Sequence, residues 1–154
     1  MALPRLDRAV RSVSAPVDLT FDVLTDLKRH AGAFPFTTMA APPAPPRVGD
    51  RFEAVTLGFL RDIMVLERLA TSADGGHRAV YRKVGGMFRG TVEMTARPSG
   101  TDRERSEVSW VYDVWLPTGP RWLSRRAVTI GCTLAASIAL YRLGGLAEDE
   151  ARSA

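Results

Sequence analysis

Alternation of apolar and polar residues is clearest from Phe88 to Arg97. Phe88, Gly90, Val92, Met94 and Ala96 fall on one side, and Arg89, Thr91, Glu93, Thr95 and Arg97 on the other. This period of two predicts a half-buried strand with one dry and one wet face. Four further stretches after Asp50 read as strands: "RFEAVTLG", "LRDIMVLERLA", "HRAVYRKV" and "SEVSWVYDVWL". Asp74-Gly75-Gly76, Gly85-Gly86 and Ser99-Gly100 supply the positive-φ residues that tight hairpins need. Five consecutive strands predict an antiparallel meander, and a further strand is expected over Leu6 to Val13.

The period lengthens towards both ends. In Val13 to Leu27, "VSAPVDLTFDVLTDL", Pro16 suits a first helical turn and Asp18 the positive end of the helix dipole. Val17, Phe21, Leu24 and Leu27 make the apolar stripe, and a second short helical piece is expected near Asp26 to Ala33. Five prolines between Pro35 and Pro46 then predict an exposed extended connector. The last helix begins after Gly119-Pro120 and is expected to stop at Gly144-Gly145, on the order of 35 Å away. Its stripe of Leu123, Ala127, Ile130, Leu134, Ile138 and Tyr141 is expected to face inward. The uncharged run from Ala127 to Tyr141 is shorter than the roughly twenty residues a bilayer crossing needs. The helix is therefore read as buried between the sheet and a second surface, without membrane contact. Gly131, Ala135 and Ala139, spaced by four, admit close approach of the protein's own sheet or of a second copy in a homodimer.

At 154 residues with 45% hydrophobic composition, the chain fits one domain, expected over residues 1–147 with a polar tail at 148–154. A lone Cys132 excludes an internal disulfide, and the start of the chain lacks the pattern of a secretory signal, so a cytoplasmic location is expected. The net charge of +4 is carried by scattered arginines, Lys28 and Lys83 being the only lysines. No basic run interleaves with aromatics, which argues against nucleic acid. No metal-ligand cluster, Ser-His-Asp arrangement or phosphate-binding glycine loop is readable, and neither metal nor cofactor is expected.

A strand, two short helices, a meander and a long final helix are the elements of an α+β helix-grip fold. In that fold a curved antiparallel sheet of six to seven strands wraps the C-terminal helix and leaves a cavity. "VSAPVDLTFDVLTDL", "VLER" at Val65 to Arg68 and "EVSWVYD" at Glu107 to Asp113 resemble segments of the START-like, or SRPBCC, superfamily, within it the bacterial polyketide cyclase and aromatase group. The resemblance covers nearly the whole chain. It implies a small hydrophobic or polyketide-like ligand, held in the cavity and either cyclised, dehydrated or rearranged there, or carried unchanged as a lipid, quinone or aromatic metabolite.

The candidate chemistry follows the strand faces. If Met64 and Leu66 point inward, strict alternation brings Asp62 and Arg68 in with them, Asp62 being one available partner for a buried guanidinium. The resemblance implies that Arg68 orients or polarises polyketide oxygens; the other reading is a structural or rim arginine. Arg82 matches a second arginine of the group, with Lys83 beside it on the opposite face. Trp110 and Tyr112 share a face of the last strand, and the resemblance places them inside as flat contact surfaces with polar tips. Phe88, Val92, Met94, Ile130 and Leu134 complete the expected ligand wall. His30, where the family often has tryptophan, is a candidate acid or base together with Tyr112, although a surface histidine is the plainer reading. Thr37 stands where the group commonly has tyrosine, so a phenolic acid is missing there.

Overall fold

The computed structural model describes residues 7–154, so Leu6 of the expected first strand lies outside the described residues. The elements are β1 (Arg8–Val13), α1 (Val17–Thr25), α2 (His30–Ala33), β2 (Thr37–Ala40), β3 (Arg51–Thr56), β4 (Leu60–Thr71), β5 (His77–Gly86), β6 (Arg89–Ser99), β7 (Asp102–Trp115) and α3 (Arg121–Ser153). Strands β2 to β7 form a continuous antiparallel meander, and β1 closes onto β7, giving a single seven-stranded sheet in the order β1-β7-β6-β5-β4-β3-β2. The sheet curls as a half-barrel against α3, which is the helix-grip architecture.

The seventh strand lies in the proline-rich segment read as a connector. Thr37 to Ala40 precede the paired prolines and pair with Glu53 to Thr56 of β3. Four residues between Pro35 and Pro42 suffice for an edge strand, whose outer side needs no ladder partner. The α1 face follows expectation in part: Asp18 and Asp22 are exposed and Leu24 and Leu27 buried, while Val17 and Phe21 of the expected stripe are half-buried and Val23 and Thr25 are buried beside Leu24.

Helix α3 departs from expectation in two ways. It continues through Gly144-Gly145 to Ser153, so residues 148–152 are helical and Glu148 bonds Arg11 at 3.1 Å. The reason for Gly144 is a close approach: a β-carbon there would stand 2.8 Å from the Arg11 guanidinium. Its phase is also turned. The face against the sheet carries Thr129, Thr133, Ala136, Ala139, Leu140, Leu143, Gly144 and Ala147. Leu134 and Ile138 of the expected inner stripe are 63% and 53% exposed. Small side chains let the helix axis sit close to the curved sheet, and the larger aliphatics are left outside. By length and composition α3 is apolar enough to cross a membrane, but its inner face is packed on β1, β7, α1 and α2.

Two substitutions test these placements. Gly145→Ala, mid-helix with open space around the new methyl, is expected to raise stability by about 0.5–1 kcal/mol in a denaturant titration; no gain would mean that the helix ends there. Gly86 has φ +74°, and a β-carbon would lie 1.9 Å from the Arg61 carbonyl oxygen, so Gly86→Ala is expected to cost at least about 2 kcal/mol.

Candidate functional site

Between the sheet and α3 lies a cavity of about 290 Å³, at the small end of ligand-binding cavities. Its walls come from nearly every element. Strands β2 and β3 supply Thr37, Met39, Ala54 and Thr56; β4 supplies Leu60, Asp62 and Met64; α3 supplies Cys132 and Ala135. Beside the β2–β3 wall, Phe36, Leu57 and Phe59 are exposed.

One end of the cavity is aromatic. Trp110 and Tyr112, two residues apart on β7, stack with ring centres 5.9 Å apart and planes 12° from parallel. Phe34 meets the Trp110 indole edge-on at 5.8 Å, and the His30 ring lies 5.3 Å from it. His30 is 1% exposed, and its Nε2–H donates to the Leu24 carbonyl at 2.8 Å. Burial pushes its pKa down to about 4, so at neutral pH it is a neutral core imidazole and not the acid or base expected at a cavity mouth. Tyr112 is also buried, and desolvation raises its pKa well above the usual phenol value, with Cys132 and Asp62 adding to the effect. It is a phenol that can donate a hydrogen bond, and it is a poor base.

The cavity wall also holds an ion pair. Lys83 donates from Nζ to Asp62 Oδ2, with only 8% and 15% of the two side chains exposed. The Lys83 ammonium also lies 5.8 Å from the centre of the Phe88 ring. Cys132 faces this group and remains a thiol, its pKa raised chiefly by burial. Two residues of the cavity wall each carry a buried polar atom without a hydrogen-bond partner among the described residues, Asp62 Oδ1 and Trp110 Nε1. A buried polar atom left in this way costs about 1–3 kcal/mol.

The expected site thus separates into three groups. Asp62, Met64, Phe88, Val92, Trp110, Tyr112 and His30 do line the cavity. Leu66 and Met94 are fully buried in the core and are not among its lining residues. Four expectations are corrected. Arg68 is exposed, because Glu67 is an extra residue in β4: Leu66 pairs Tyr81, Arg68 pairs Val80, and the strand's facing reverses between them. Arg82 is also on the outer face, bonded to Glu67 at 2.8 Å. Ile130 borders a separate, more open depression near Asp7 and Trp122, and Leu134 points away from the sheet.

Lys83 is the charged cavity residue that the sequence does not single out. The signal was present in the run Ala79, Tyr81, Lys83, but Val80 and Val84 made the other face of β5 look equally apolar. Among the described residues no cluster of His, Cys, Asp or Glu is arranged to hold a metal ion.

This architecture is the helix grip. Among solved structures the chain resembles the Zhui aromatase/cyclase of a Streptomyces species, at TM-score 0.65 and 18% identity over 92% of each chain. It also resembles the lipid transfer and protein localization domain of human StarD13, at TM-score 0.59 and 12% identity over 88% of this chain and 75% of that one. A START superfamily protein from Mycobacterium smegmatis matches at TM-score 0.53 and 14% identity, over 90% and 97%. No family model and no curated protein matches the sequence. These likenesses are to the fold, shared over about nine-tenths of this chain.

His30 gives a test by pH. Its folded pKa of about 4 lies below the ordinary 6.5, so the unfolded chain binds the extra proton between those values. The contribution is complete above pH 6.5 and is lost as the pH falls towards 4. Between pH 7 and pH 5 the protein is expected to lose about 2 kcal/mol through this residue. Urea midpoints at the two pH values check this, and His30→Leu should flatten that part of the profile.

Proposed function

We propose that the chain binds a flat, largely apolar, oxygen-bearing ligand of polyketide or aromatic type in the cavity and promotes its cyclisation, dehydration or rearrangement. The observation that carries this reading is the Lys83–Asp62 pair, buried in an otherwise apolar wall. Burying such a pair is expensive, and apolar residues of similar size are commonly as stable or more so. Its position at the cavity supports a role towards the occupant.

The chemistry follows from the pair. Lys83 as an ammonium donates to a substrate carbonyl oxygen and stabilises the charge that develops there when a neighbouring carbon loses its proton. Asp62 as a carboxylate accepts that proton. The resulting enolate carbon attacks a second carbonyl of the same molecule, and the new alkoxide takes the proton back as a hydroxyl. The aromatic end, Trp110 and Tyr112, presses the ligand flat so that the reacting carbons stay near each other. His30 serves this wall as packing and takes no proton.

One observation favours a second reading, a carrier that releases its ligand unchanged: most of the wall is apolar, as suits a lipid or quinone, and a lipid transfer domain is among the structural neighbours. Native mass spectrometry of freshly purified protein, followed by incubation with a linear aryl polyketone, separates the two. The enzyme reading expects a cyclised product whose rate falls about 10²-fold or more in Lys83→Met and is unchanged in Arg68→Ala. A bound ligand recovered intact, with no turnover of the polyketone, would leave the carrier.

A further inference from the structure

The cavity wall specifies the ligand's charge as well as its shape. Among the described residues its only formally charged ones are Lys83 and Asp62, which cancel. On the neighbouring strand β5, Arg82 and Arg78 turn outward and pair with acids there, Glu67 and Glu93. A carboxylate entering the cavity would meet Asp62 with no free cation to balance it, and an uncompensated buried charge is strongly unfavourable.

The two orphaned atoms add direction. Trp110, 3% exposed, has an indole N–H that can only donate, and Asp62 Oδ1 can only accept. A ligand that satisfies both brings an acceptor to Trp110 and an O–H to Asp62. We infer that the cavity selects a neutral ligand bearing a phenolic or enolic hydroxyl, which donates to Asp62 while a second oxygen or a π-face receives the Trp110 N–H, and that it rejects the carboxylate of the same skeleton. This deepens the ligand-binding reading and rests on it. It also sets the site apart from one built for free fatty acids.

Three probes of one skeleton test it by calorimetry at pH 7: naphthalene, 2-naphthol and 2-naphthoate. The full-length protein is expected to bind 2-naphthol about tenfold more tightly than naphthalene, since the added bond is made to a charged acceptor, and to bind 2-naphthoate at least about tenfold more weakly than 2-naphthol. Asp62→Asn leaves Lys83 uncompensated and should reverse the order, so that 2-naphthoate overtakes 2-naphthol. The double variant Asp62→Leu with Lys83→Met removes both charges and the acceptor, and keeps the fold testable if the single variant does not fold; it should bind naphthalene and 2-naphthol alike. Equal binding of naphthalene and 2-naphthol by the unaltered protein, or a hydroxyl preference that persists in the double variant, would overturn the inference while leaving the cavity a ligand site. Binding of none of the three would overturn the ligand-binding reading itself and the inference with it.

Discussion

Two single-residue bulges in the β4–β5 hairpin decide which charges face the cavity. Val84 is the extra residue on β5, between the pairs Ile63 with Gly85 and Met64 with Lys83; Glu67 is the extra residue on β4, between Leu66 with Tyr81 and Arg68 with Val80. Because a shift of one residue exchanges the faces of a strand, the first bulge puts Lys83 on the same side as Asp62 and Met64. The second sends Arg68 outward. The stretch between them presents Met64, Leu66, Tyr81 and Lys83 to the interior, all buried. Remove either bulge and a different cation faces the ligand. Gly86, bonded through its neighbour Met87 N–H to the Arg61 carbonyl at 2.7 Å, holds the end of this hairpin in register.

The helix that closes the cavity obeys a related constraint. A long helix lying in a curled sheet needs small residues where it comes closest, and α3 offers Ala136, Ala139, Gly144 and Ala147 there. Gly144 is spent on the Arg11 side chain, whose guanidinium reaches both the Leu140 carbonyl and the Glu148 carboxylate. That contact joins β1 to the last third of the helix. Cys132 and Ala135 then border the cavity without filling it, which is why space remains beneath the helix for a ligand.

Much of this was legible in the sequence, for physical reasons that also explain the rest. The meander and the amphipathic α1 announce themselves through period, and the aromatic pair Trp110 and Tyr112 through its shared parity on β7. Strand β2 is too short to show a period, and the prolines after it mask it. The inner face of α3 was misread because apolar bulk was taken as the mark of burial, whereas close packing selected alanine and glycine and left Leu134 and Ile138 outside. The misplacement of Arg68 has a single cause, since strict alternation carries the strand's parity straight through Glu67 and no residue type there signals an extra position. Lys83 keeps regular parity with Ala79 and Tyr81, but Val80 and Val84 make the opposite face of β5 look equally apolar. His30 is neither the surface histidine nor the acid or base that its residue type suggests, because it is buried against Trp110 and bonded to the Leu24 carbonyl, a long-range environment that a single position does not reveal.

The central claim is that Lys83 points into the cavity and is held there by Asp62. The chain has only one other lysine, Lys28, which is exposed. Acetylation of the folded protein with a mild acylating reagent, followed by peptide mass spectrometry, therefore compares the two directly. Fast labelling of Lys28 with Lys83 protected until the protein unfolds is the result this account predicts; labelling of Lys83 at the rate of Lys28 in the folded protein would contradict it.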